Sequence, residues 1–253
     1  MNARIRSTLV LATLAAVAPA LADDPHAHGE VHWSYQGHGG PAAWAKLNPE
    51  YATCGTGKHQ SPIDIKTATH ADLPEIQLAW QPGAFKVVNN GHTIQVTVPE
   101  GSSITVGDRK YELLQFHFHT PSEEAVKGKH AALVAHFVHK DAEGKLAVIG
   151  VLFDVGAENA GLAQVFAKMP AKAGEEATLD APLDPSALVP AKRPYWEFEG
   201  SLTTPPCSEG VRWLVLQQRS TLSKAQLAAF QKLYPKNARP VQPLNGRAVR
   251  SSS

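Results

Sequence analysis

No charge of one sign predominates in this chain: 24 Lys and Arg stand against 23 Asp and Glu, a formal net charge of +1. A near-neutral surface gives no electrostatic grip on nucleic acid or an anionic membrane, so those partner classes are excluded. Charged residues are only 19% of the total, too few for a charge-laced coiled coil or a disordered tail. Long hydrophobic runs are missing too. The longest, Leu9 to Val17, is too short for a bilayer-spanning helix. Cysteine is scarce, with Cys54 and Cys207 alone and neither within a few residues of a Cys or His, which argues against a Cys-based metal site or nucleophile. What the chain does have is 19 Gly, 19 Pro, 43% hydrophobic residues and 12 His, and 253 residues to build a buried core.

The first 22 residues read as an address label. Arg4 and Arg6 precede the apolar run, and Ala20-Leu21-Ala22 offers small residues where a signal peptidase cuts. Cleavage after Ala22 removes two Arg and no acid, so 22 basic residues would face 23 acidic ones. The expectation is an exported protein without a membrane anchor, periplasmic or secreted, with one domain over residues 23–253. In an oxidising compartment two cysteines suggest a disulfide, two separate buried thiols being the alternative. His26, His28, His32 and His38 lie in a Gly- and Asp-containing stretch that reads as a terminus docked only at its end, though such a tract can collect stray metal.

Short strands dominate the middle. Phe85–Val88, Thr93–Val98, Ile104–Val106, Leu113–His119, Ala131–His139 and Leu146–Phe153 are punctuated by turn residues. Asp141–Gly144 should turn the last two into a hairpin. Helical spacing appears at Glu158–Met169 and at Leu222–Tyr234, the latter with Ser223 as N-cap and Leu227, Phe230 and Leu233 inward. Pro170–Pro194 reads as loop. The fold class is mainly β (α+β): a large, mostly antiparallel sheet with peripheral short helices.

Period-two alternation places Gln115, His117 and His119 on one face of a strand and Leu114, Phe116 and Phe118 on the other. His136, in a second alternating strand, can supply a third nitrogen from a neighbouring position. Three imidazoles with an open fourth position are a catalytic zinc arrangement, since a structural site would be closed by a fourth protein ligand. A His-x-His strand alone is weak evidence, because aromatic-flanked histidines are often hydrogen-bonded core residues.

Four motifs add to the histidines: Gln60-Ser61-Pro62-Ile63-Asp64-Ile65, Asn89-Asn90-Gly91-His92, QFHFHTPSE from Gln115 to Glu123, and the run from Gly200 through Thr203-Thr204-Pro205-Pro206-Cys207 to Gly210. Together, in this order, they resemble the alpha-class carbonic anhydrases of the exported bacterial type, from Trp33 to about Arg250. The resemblance implies a twisted, mostly antiparallel sheet of about ten strands and a Cys54–Cys207 disulfide. It also implies a zinc enzyme that interconverts carbon dioxide and bicarbonate through hydroxide on Zn2+.

The same resemblance assigns roles. His117, His119 and His136 are the metal ligands. Thr203 accepts a hydrogen bond from the hydroxide and donates to Glu123, so that only a correctly oriented nucleophile is favoured. Val138, Val148, Leu202 and Trp213, extended by Val211, form the apolar wall for carbon dioxide. His92 is the proton shuttle, an imidazole being suited to exchange protons near neutral pH. Tyr35, Asn90, Gln95 and Thr204 order the waters between. Gln115 orients His117, and backbone near Asn237 orients His119. Anions and sulfonamide-type inhibitors are expected at the open metal position, and esters as minor substrates.

Two departures carry expectations of their own. Many relatives have a Glu two residues before the third ligand; here that residue is Val134, which predicts weaker or faster-exchanging zinc unless another acceptor orients His136. Glu124 stands where relatives often carry His, which predicts a changed loop network beside an intact Thr203–Glu123 relay. A zinc-capture or binding module without catalysis is the competing function class, and the presence of every ligand and relay residue weighs against it. The chain is expected to act as a monomer or homodimer.

Overall fold

The computed structural model describes residues 32–252; the expected leader Met1–Ala22, and His26 and His28, lie outside the described residues. The dominant element is a 13-stranded sheet. Its continuous path runs Glu176–Thr178, Lys86–Asn89, Ile94–Thr97, Arg109–His119, Leu133–Lys140, Leu146–Val155, Glu209–Leu216, Tyr195–Ser201, Arg250–Ser251 and Thr69–His70. The other strands flank it: Ser103–Val106 pairs with Arg109–His119 and in turn with Ile76–Ala79, and Ser220–Leu222 pairs with Leu146–Val155. The path therefore has the expected ten strands, and the flanking ones enlarge the sheet. Most pairings are antiparallel, with a parallel step from Leu146–Val155 to Glu209–Leu216. A small separate sheet joins Asp64–Ile65, Ala125–Val126 and Lys129–His130.

The hairpin expected at Asp141–Gly144 forms, because Asp141 Oδ1 accepts from the Glu143 and Lys145 amides and Gly144 takes the positive φ that closes the turn. Both helices form but are shorter than their spacing suggests, at Ala160–Phe166 and Lys224–Leu233. Ser223 caps the second through a reciprocal pair with Gln226, and Phe230 is fully buried with Leu227 and Leu233 packed beside it. Pro170–Pro194 is not all loop. Glu176–Thr178 adds to the sheet edge against Lys86–Asn89, and Pro185–Leu188 makes one 3-10 turn. Hydrogen bonds to an existing edge strand, which need no hydrophobic alternation, recruit the first of these.

The sheet separates two apolar clusters. Phe116, Phe118, Phe137 and Phe153 belong to the larger, where each fully buried ring contributes up to about 3 kcal/mol. Val134, Val138, Val148, Val211 and Trp213 belong to the smaller one, on the opposite face. One side-chain placement departs from simple alternation. The register shifts between Val138 and His139, so that Gln115 faces Val138 but Leu113, not Leu114, faces His139. This bulge leaves Leu114 half-buried and puts Leu113 into the larger core, correcting the expected Leu114–Phe116–Phe118 face.

Cys54 and Cys207 form a disulfide with Cα atoms 5.0 Å apart. It ties the short helix Thr53–Thr56 to the loop that follows Thr203. Chain-entropy arguments give a cross-link spanning 153 residues about 5 kcal/mol at most.

Candidate metal centre

Strand register brings the three histidines together. His117 lies directly opposite His136 on the neighbouring antiparallel strand, and His119 follows on the same face, opposite Val134. All three present one nitrogen each, and these atoms lie within 4.8 Å of one another. Among the described residues this is the one group of three or more His, Cys or acidic side chains so arranged.

Each ring has its other nitrogen engaged outward. His117 Nδ1 is 2.8 Å from Gln115 Oε1, and His119 Nδ1 is 2.7 Å from the Asn237 carbonyl. His136 Nε2 is 3.2 Å from Glu124 Oε2. That fixes the tautomers, leaving Nε2 of His117, Nε2 of His119 and Nδ1 of His136 facing one point. His119 Nε2 is buried with no hydrogen-bond partner among the described residues. A buried orphan nitrogen is costly by itself, and a metal ion is the partner that three converging lone pairs fit.

The electrostatics agree. Burial, then the neighbouring His136, pushes His117 down to about 3; the same causes hold His119 well below the ordinary imidazole range. Rings kept neutral keep their lone pairs available for a cation. His136 differs: burial pulls it down, but the Glu124 and Glu123 carboxylates outweigh that and leave it above its usual value.

Glu123 is fully buried beside this trio, with Oε2 3.5 Å from His119 Nε2 and 3.8 Å from His136 Nδ1. Burial raises its carboxyl to about 7; His136, the Arg239 amide and the Thr203 hydroxyl act the other way. The Arg239 N–H donates to Oε1 at 2.8 Å. Arg239, whose guanidinium also donates to the Ser61 and Cys54 carbonyls, carried no signal in sequence, because its contacts lie more than 100 residues away. Thr203 is buried in a tight loop held by Leu202 N–H to Ser208 O and Cys207 N–H to Thr204 O.

The apolar wall is also assembled. Val138, Val148 and Trp213 are successive register partners across three strands, so their side chains form one row. Val211 is buried in the same cluster, and Leu202 packs against it half-buried. The Trp213 ring meets His136 edge-on at 4.9 Å.

His92 sits on a turn whose Asn90 side chain accepts from the His92 and Thr93 amides. Its ring is stacked on Trp33 at 3.6 Å and 7°, with His32 stacked 5.0 Å away. Burial, then His32, pushes it down to about 4. Gln95 faces His117 in register, and Tyr35 lies edge-on to His119 at 6.4 Å. Thr204 is half-buried beside Thr203, and His38 is exposed, away from any metal-binding group among the described residues.

The model of the eukaryotic-type carbonic anhydrase family matches residues 39–253. The chain belongs to the alpha-type carbonic anhydrase family. It is 46% identical over 220 residues to a carbonic anhydrase of Pectobacterium carotovorum, covering 87% of this chain and 90% of that one. Identity to a carbonic anhydrase of Neisseria gonorrhoeae is 44% over 249 residues, covering 97% and 96%. The alpha-carbonic anhydrase of Thermovibrio ammonificans, solved with the inhibitor sulfanilamide, superposes with a TM-score of 0.86 at 47% identity, covering 88% of this chain and all of that one. Family membership accounts for the large mixed sheet, and the histidine trio is compatible with a metal site. Among the described residues no helix is long and apolar enough to cross a membrane.

Proposed function

We propose that this chain is a zinc enzyme catalysing the reversible hydration of carbon dioxide to bicarbonate and a proton. The observation that carries the reading is the convergence of three imidazole nitrogens beside an apolar wall of valines and tryptophan. Zn2+ held by His117, His119 and His136 would supply a Lewis acid that lowers the pKa of water to about 7, an effect for which carbonic anhydrase is itself the standard case. Thr203 donates its hydroxyl hydrogen to Glu123, which leaves Thr203 an acceptor toward the attacking oxygen and so aims that oxygen's lone pair. Val138, Val148, Leu202, Val211 and Trp213 hold carbon dioxide by excluding water, and Thr204 lines the path beside them. Tyr35, Gln95 and the free amide hydrogens of Asn90 order water toward His92, which carries the proton out. Anions and sulfonamides compete at the open metal position, and ester hydrolysis is a minor side reaction.

Residues 1–22 act as a cleaved export signal and residues 23–253 as one catalytic domain, active in the periplasm or outside the cell as a monomer or homodimer. Stopped-flow carbon dioxide hydration by the chain from Asp23 onward, with zinc measured on the same sample, tests the assignment. Fast hydration at about one zinc per chain is expected. Full zinc occupancy without hydration would instead make this a metal-binding module.

Proton transfer through His92 carries a prediction of its own. Stacked on Trp33, the ring is pushed down to about 4, which disfavours proton uptake near neutral pH, so leaving the stack would favour transfer. Trp33→Ala exposes the ring, and its pKa should rise from about 4 toward the ordinary 6.5. An NMR titration reads this directly. A midpoint still near 4 in the variant would mean that Trp33 is not the source of the burial.

A further inference from the structure

His117 is oriented from within its own strand: Gln115, two residues earlier and on the same face, accepts from its Nδ1. The equivalent place before His136 is Val134, wholly buried in the smaller core and unable to accept a hydrogen bond. His136 nonetheless has an acceptor, and it comes from outside the large sheet. Glu124 lies in the bend between Arg109–His119 and Ala125–Val126, and its Oε2 meets His136 Nε2 at 3.2 Å.

That bend is pinned on both sides. The Ser122 hydroxyl donates to the Glu124 carbonyl, the Ala125 amide donates to Ile63, and Ala125 pairs with Asp64 in the small sheet. The Glu124 side chain is wholly buried, and its other oxygen, Oε1, has no partner among the described residues. A carboxylate is expensive to bury, and among the described residues His136 is the side chain whose hydrogen bond offsets the cost.

We infer that Glu124 is the positioning residue of His136, supplying from a loop the acceptor that the strand lacks at Val134. By holding the Nε2 hydrogen it keeps the Nδ1 lone pair turned toward the metal. The inference rests on the zinc reading of the trio. It removes the expectation of fast zinc exchange drawn from Val134, because the missing acceptor has been replaced.

The test is zinc release to excess dipicolinate from the parent, Glu124→Ala, Glu124→Gln and the double variant Glu124→Ala/Val134→Glu. Glu124→Ala should release zinc about 10–100-fold faster, a range set partly by carbonic anhydrases themselves. Glu124→Gln, which preserves shape, should fall between. The double variant should recover slow release, since residue 134 faces the same side as His136 just as Gln115 does beside His117. The visible spectrum of the cobalt(II)-loaded protein should change in Glu124→Ala and return in the double variant. Parent-like release from both single variants would overturn the role. Faster release that Val134→Glu does not rescue would also overturn it, marking a packing defect instead. A parent that takes up no zinc, or a His136→Ala variant that holds it as tightly, would remove the underlying metal reading and is distinguishable from either result.

Discussion

His119→Ala should purify with little or no zinc and with carbon dioxide hydration near the buffer rate. Losing an orienting acceptor commonly costs about 10–100-fold in metal affinity, and losing the ligand itself must cost more. His119 is the ring for which this is most decisive. Its Nδ1 is held by the Asn237 carbonyl, and its Nε2 has no partner among the described residues. The two remaining imidazoles sit on different strands and would hold an ion only loosely. Removing the ring also leaves a cavity and orphans the buried Asn237 carbonyl, so the metal-free variant should melt below the metal-free parent, and zinc content is the deciding readout. Zinc content by atomic spectroscopy, with thermal melts of both metal-free proteins, separates the cases. A variant retaining about one zinc per chain would show that His119 is not a ligand.

Thr203→Ala should lower the hydration rate about 10²–10³-fold while zinc content stays unchanged, the usual cost of deleting one preorganised hydrogen-bonding group at a reacting oxygen. Thr203 is buried near Glu123, where its hydroxyl lowers that carboxyl's pKa, and the carboxylate is itself fixed by the Arg239 amide. On the proposed chemistry, the variant keeps Glu123 in place but lacks the group that would aim the nucleophile. The loss should therefore appear in kcat and kcat/KM alike. Thr203→Ser retains the hydroxyl and should recover most of the rate. Equal rates for Thr203→Ala and the parent would remove Thr203 from the proposed chemistry.

Much of the site could be read from the chain before folding. His117 and His119 share a face because a strand repeats every two residues, and the alternation around His136 marks a second strand that pairs with the first. Gln115 falls where expected, two residues before the ring it serves, whereas the Asn237 carbonyl lies 118 positions from His119 and was expected from the family resemblance alone. The bulge at Val138 and His139 was not legible: one extra residue on one strand changes which leucine enters the core, and nothing in the local pattern announces it. Glu176–Thr178 escaped notice because an edge strand of three residues needs backbone bonds and little side-chain pattern.

Short-range periodicity was enough to fix a β-rich fold and a histidine face opposite an aromatic face, and composition to supply cysteines available to cross-link. Tertiary structure alone decided the long-range contacts. Arg239 reaches Glu123 across 116 positions, His92 lies against Trp33, and Glu124 takes the place that Val134 leaves empty. Backbone periodicity sets which face a side chain takes, whereas a buried polar atom's partner is chosen by whichever segment the completed fold brings within hydrogen-bond reach.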